Sequence, residues 1–535
     1  MTRKPKNQRL PPDAPLRHDS HPRPITRREF ISQGFIGGSA TLLSGGIFSL
    51  FANPNAAMAA VAPDLDALAT DIGCTLGGLG SAKVPFICFD LAGGANLAGS
   101  NVLVGQGGGQ MDLLSTAGYS KLGIPGDMIP GLVDAGNLLN PSNGDFTNTD
   151  LNLAFHADSA MLHGILEKAA ATIGSVDGCV IPARSDNDTG NNPHNPLYGI
   201  AMTGASGSVV DLIGSRTSES GGNSLAPAAQ INPEVRPTKI DRPSDVTGMV
   251  DVGNLTAILS DPSDVTAVME SIARVSHKKL KLGTVSTGLS NDDVIKDLVR
   301  CGYLKAADLA NRFAGVPVDP TQDPDIQAIF SPTELANREF SKTASIMKMV
   351  MNGYAAGGCI TMGGYDYHTG DRQTGENRDL RAGRCIGACL DYARRLGKPL
   401  MIYVFSDGSV ASNGMPDNST TTGAGENLSL GGGGKGQWTG DNSSTACSFF
   451  LVFSPGGAPA LLNNRQIGRF SADASVVTSA TPAANNPNLL VNMLLLNYMA
   501  VNGDISPSNT SAFTNLFPNH GLGSNLGNFI VFNTL

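Results

Sequence analysis

Cys359-Ile-Thr-Met-Gly363, then Leu380 to Leu396, then Leu400-Met-Ile-Tyr-Val-Phe405 is the stretch whose reading decides the fold. The two short runs are apolar and rich in β-branched or aromatic residues, which suits buried strands. Between them Ile386, Leu390, Ala393 and Leu396 recur at helical spacing, and Lys398-Pro399 breaks the helix before the second run. Strand, about 17 helical residues, then strand is a crossover unit. Such a unit places its two strands parallel in one sheet.

Outward from this unit the same logic adds elements. Cys447-Ser-Phe-Phe-Leu-Val-Phe453 reads as a further buried strand, as do Val84-Pro-Phe-Ile-Cys-Phe-Asp90 and Gly178-Cys-Val-Ile-Pro182. Residues 158–175 read as a helix with Met161, Leu162, Ile165, Leu166 and Ala169 on one face. Residues 245–355 are mostly helical in pattern, most clearly at Phe340, Ala344, Met347, Met351 and Tyr354. Their methionines read as core packing rather than as a soft metal site. The expectation is an α/β, three-layer domain over residues 60–535, with a mostly parallel central sheet flanked by helices. It carries a polar insertion near 215–244 and a long Gly/Ser/Thr loop at 409–445. The run Gly431 to Gly434 within that loop lacks the spacing and following helix of a phosphate-binding loop.

The first 59 residues have a different character. Thr26-Arg27-Arg28-Glu29-Phe30 precedes a mildly apolar stretch, Gly34 to Phe51, and then Ala57-Met58-Ala59. A basic segment, an apolar segment and a small-residue cleavage site make an export signal, and the Arg27-Arg28 pair points to the twin-arginine route. The expected partner in export is the twin-arginine translocase, and the expected location is periplasmic or extracellular. An uncleaved anchor is the rival reading, weakened by five glycines and four Ser/Thr within 18 residues.

Charge narrows the partners. The whole chain carries a formal −9, and the basic leader holds eight Lys/Arg against three Asp/Glu, which leaves the remainder near −14. Such an acidic protein is poorly suited to nucleic acid or to anionic lipid. The eight cysteines show no dense framework spacing, so one or two disulfides at most are expected. Cys88, Cys359 and Cys447 fall in strand-like runs and read as buried thiols. No dinucleotide fingerprint or haem-attachment motif is present, which leaves an exported redox protein without support.

In open α/β sheets ligands sit beyond the carboxyl ends of the strands. Three strand ends here carry metal-capable residues: Asp90, the run Gly363-Gly-Tyr-Asp-Tyr-His368, and Ser406-Asp407-Gly408. Carboxylates with an imidazole suit Zn²⁺ or Mn²⁺, which polarise an ester oxygen or activate water. An Asp after a strand also caps loops or opens helices, so each has a plain structural reading beside the chemical one.

These residues resemble the exported domain-of-unknown-function 1501 family, of the alkaline phosphatase and sulfatase superfamily. Gly363-Gly364-Tyr365-Asp366-Tyr367-His368 is similar to its Gly-Gly-Phe-Asp-x-His motif, Leu162-His163 to its Leu-His, and Pro193-His194-Asn195 to its Ser-His-Phe. Asn96 stands where that family has Asp in the first loop, and Asp407-Gly408 is a reduced form of its Glu-Phe-Gly-Arg element. Gly440-Asp441-Asn442 replaces a later Asp-His-Gly. The resemblance implies an alkaline-phosphatase-like fold and a metal-dependent hydrolase of phosphate or sulfate esters. Asp366, His368 and Asp407 would be ligands, Asp90 or Asp441 would add to them, and His194 would act near the leaving group. The alternative is a degenerate, non-catalytic member that binds a glycan, a surface polymer or a partner protein.

Overall fold

Apolar, β-branched segments that are buried on both faces become the middle of a sheet, and here three of them do so side by side. In the computed structural model these are β1 (Phe86–Ala92), β7 (Ala355–Gly363) and β8 (Leu400–Ser406), with β1 in parallel register between the other two. The structure describes residues 61–535 except 75, 77–80, 135, 137, 186–191, 251–258, 260, 283–290, 314–315, 371 and 418–434. Arg27 and Arg28 of the expected export signal lie outside the described residues.

The sheet has seven strands. It adds β4 (Val176–Pro182), β5 (Val210–Gly214), β6 (Thr238–Lys239) and β11 (Cys447–Phe453) in the order β4-β11-β8-β1-β7-β5-β6. Only β11 runs against its neighbours, so the sheet is mixed but mostly parallel. The crossover drawn from the sequence is borne out, with β1 lying between its two strands. Outside the sheet, β2 (Thr147–Leu151) pairs with β3 (Leu153–His156), and β9 (Val410–Pro416) pairs with β10 (Gly436–Asp441), both antiparallel.

Helices cover both faces, and successive glycines in β7 show how closely. A side chain at Gly357 would meet Leu197 and Ile200 of the Leu197–Met202 helix, whereas one at Gly358 would meet Ile346 and Val350 of the Arg338–Met351 helix. On the first face Phe86 packs edge-on to Tyr498 of the Pro487–Val501 helix, 5.7 Å between ring centroids. On the other the Arg372–Leu396 helix lies against Ala160–Ala169 through Gly164, Gly383 and Gly387, each close to backbone of the opposite helix. This is the three-layer α/β arrangement expected.

Where one domain over 60–535 is expected, the described residues divide into two compact units. The smaller is built from the helices Pro63–Asp71, Pro262–Lys281 and Asp292–Phe313, which bury Leu65, Val265, Met269, Leu304 and Ala307 together. A Cys74–Cys301 disulfide lies within it, and the other six cysteines are free and buried. The larger unit contains the sheet. Two expectations change in detail. The 215–244 segment is not wholly an insertion, since Thr238–Lys239 adds the edge strand β6. The 409–445 segment is not one open loop, since its two arms pair as β9 and β10. Gly431 to Gly434 lie outside the described residues.

Candidate metal centre

Strand β7 ends at Gly363, and Gly364 turns the chain with a positive φ of 90°. The Tyr365 amide then donates to the Ala92 carbonyl, folding the loop back over the end of β1. This leaves Asp366 and His368 at the carboxyl end of the sheet, where β10 brings up Asp441 as its last residue. His368 Nε2 lies 2.7 Å from Asp366 Oδ1 and 3.8 Å from Asp441 Oδ1. One ligand atom from each of the three lies within 4.8 Å of the others, and the side chains are 34–51% exposed. Among the described residues this is the one such group of three.

Asp407 and Asp90, expected as further ligands, do not join that group. Both are buried and already held by amides from elsewhere in the chain. Asp407 Oδ1 accepts the Gly93 amide at 2.7 Å, and its Oδ2 accepts from the Asn223 side chain at 3.0 Å. Asp90 accepts the Asn223 and Ser224 amides and the Ser224 hydroxyl. Burial, and then the charge of Asp407, push the Asp90 carboxyl up to about 6. The two carboxylates thus staple the 222–224 turn beneath the strand ends. Gly93 links this layer to the exposed group: a side chain there would come within 2.5 Å of the Asp366 amide nitrogen. Only glycine permits that approach, at a φ of 125°.

His194 is also buried. Its Nε2 lies 2.8 Å from the Ser185 hydroxyl, its ring stacks on Phe405, and burial lowers it to about 4, so the imidazole is neutral. It hydrogen-bonds no member of the exposed group. His163, at the Leu162-His163 pair, bonds Asn140 instead. Asn96 is fully buried, and neither polar atom of its side-chain amide has a partner among the described residues.

One charged cluster escapes sequence reasoning. Arg372 and Glu376 open the long helix that leads to Leu396, pair with each other at 2.8 Å, and are buried. Lys435 lies 3.0 Å from Glu376 and 2.5 Å from Asp158, and Arg372 stacks on Trp438. Burial would raise Glu376, but Lys435 and Arg372 together hold it below the usual carboxylate range. A nearby member of the helix, Asp379, is pushed up to about 8 by burial, with Asn101 its one donor among the described residues. A pattern of charges three and four apart normally marks a solvated helix face, and nothing local in the sequence marks this one as buried.

Comparison with family models, with curated proteins and with solved structures finds no match to this chain.

Proposed function

We propose that the chain is an exported protein that holds a divalent cation, zinc or manganese, through Asp366, His368 and Asp441, and hydrolyses a phosphate or sulfate ester there. The observation that carries this reading is the convergence of two carboxylates and an imidazole at the carboxyl end of β7. Oxygen and nitrogen donors of this kind fit such an ion. Three protein ligands are the complement of a one-ion site that keeps a position open, and the larger set needed for two ions is not gathered among the described residues.

A bound divalent ion supplies Lewis acidity and an activated water. The residues supply placement. Asp366 faces His368 Nε2, the Gly93–Asp407 contact fixes the backbone beneath Asp366, and the β9–β10 pairing fixes Asp441. Export by the twin-arginine translocase to the periplasm or beyond rests on the Arg27-Arg28 leader. The Cys74–Cys301 disulfide supports it, because such bonds persist in oxidising compartments. No helix among the described residues is long and apolar enough to cross a membrane. The strand-end motifs are also the support for placing the chain, as a divergent member, in the domain-of-unknown-function 1501 family.

A non-catalytic member that binds a glycan, surface polymer or partner protein is favoured by one observation: Asp90, Asp407 and His194 are committed to buried contacts. Elemental mass spectrometry on protein purified from the exported fraction separates the two. The expected result is near-stoichiometric zinc or manganese, lost in His368→Ala together with hydrolysis of p-nitrophenyl phosphate or sulfate. A well-folded, metal-free protein would refute the hydrolase and leave the binding role.

A further inference from the structure

A recess opens at the carboxyl ends of β5 and β7, on the side of the sheet toward β6. Its volume is about 460 Å³, within the range of small-molecule sites. Six cationic side chains line it, Arg216, Lys239, Arg338, Lys342, Arg378 and Arg381, against two carboxylates, Asp241 and Glu339. An excess of four positive charges in a protein of formal charge −9 is a local reversal of sign, and a concave wall concentrates its field.

The recess is built rather than incidental. Lys342 is buried, its ammonium held 2.6 Å from Glu339 and 2.5 Å from the Thr361 carbonyl. Arg378 is anchored by donating to the Gly363 carbonyl at 3.1 Å. Arg338 and Lys239 share Asp241, whereas exposed Arg216 has no carboxylate partner among the described residues. Thr361, only 4% exposed, contributes to the wall, and its hydroxyl is buried with no hydrogen-bond partner among the described residues. Apart from Met362, every lining side chain is charged or hydroxyl-bearing.

We infer that this recess binds a compact polyanion, a polar molecule bearing two or more phosphate or sulfate groups. Guanidinium forks match the oxygens of both groups. None of the three exposed Asp366, His368 and Asp441 side chains is in its wall, so the site does not depend on the metal reading.

Calorimetric titration of the mature protein in EDTA at low salt tests it, with tripolyphosphate and a trisulfated disaccharide as probes. The expected result is binding of at least one probe, weakening as salt is added; the tighter probe shows which oxyanion the site takes. Arg216→Glu, at an exposed position, weakens that binding by about tenfold or more. Arg338→Gln, at a second exposed position of the wall, weakens it by about threefold or more. Absence of binding by both probes, or binding that both variants leave unchanged, would overturn the inference. Because EDTA is present throughout, neither result bears on the metal centre.

Discussion

The Gly93 amide donates to Asp407 Oδ1 across 2.7 Å, tying the loop after β1 to the residue that follows β8. Asp407 is therefore a structural anchor beneath the candidate metal centre. Asp407→Ala leaves the buried Gly93 amide and the Asn223 side chain without acceptors, and the expected loss is about 2–4 kcal/mol of folding stability. Urea unfolding measures it. A loss of metal with no loss of stability would instead make Asp407 a ligand.

Asp379 gives the clearest pH signature. Its carboxyl is pushed up to about 8 in the fold, against an ordinary value of 3.8, because it is buried with Asn101 as its one donor among the described residues. Between those values the folded state holds a proton that the unfolded chain has released. Stability contributed at this position therefore falls as pH rises from about 4 to about 8, and levels above that. Asp379→Asn keeps the acceptor for Asn101 and removes the slope. Melting curves of the two proteins should converge near pH 4 and separate toward pH 8, with the variant the more stable. Parallel pH profiles would refute a buried, protonated Asp379.

Helix packing supplies a third prediction through opposite outcomes for one substitution. Alanine usually stabilises a helix over glycine by about 1 kcal/mol. At Gly383, however, a Cβ would lie 2.0 Å from the Met161 carbonyl oxygen, and backbone cannot give way as a flexible side chain can. Gly383→Ala is expected to destabilise by about 1–3 kcal/mol. Gly248, in the Pro243–Met249 helix, has nothing within 4 Å of the same position, so Gly248→Ala should stabilise by a fraction of 1 kcal/mol. Thermal melts of both variants decide it, and equal effects at the two sites would contradict the close helix contact.

Apolar pattern carried the frame and missed the buried charge. Cys447–Phe453 is a strand over the whole expected run, because seven consecutive apolar or small residues have no other stable use in an α/β sheet. Phe340, Ala344, Met347, Met351 and Tyr354 are all buried, as their spacing requires. The long helix, by contrast, starts at Arg372 rather than Leu380, since its first two turns bury Arg372, Glu376 and Asp379. Their partners, Lys435, Asn101 and Trp438, are far away in the chain, so no local pattern reveals them. The same holds at the site. The sequence marks Asp90, Asp366 and Asp407 alike as acids near strand ends, and Asp441 only through the family resemblance. What separates them is whether distant amides, those of Gly93, Asn223 and Ser224, reach the carboxylate first.

The Cys74–Cys301 bond joins the Pro63–Asp71 side of the smaller unit to its Asp292–Phe313 helix. That unit's core is small, so a cross-link of this kind matters more there than in the sheet. Replacing both cysteines by serine is expected to remove about 2–4 kcal/mol. Limited proteolysis should then cut within residues 262–313 before it cuts the sheet strands. Unchanged cleavage order and stability would show the bond to be dispensable.

Asp441 is the sharpest probe of the metal centre, because it is partly exposed at the end of β10 and its replacement need not disturb a core. Asp441→Asn keeps size and an oxygen while removing the charge that faces His368. If the three residues bind one ion, zinc affinity measured by competition with a chelating dye should fall by on the order of tenfold or more. Asp407→Asn, which keeps one oxygen for the Gly93 amide, should lower that affinity far less, since Asp407 is not among the three residues that converge. The reverse ranking would move the ion from the exposed group to the buried carboxylates, and with it the position of any activated water.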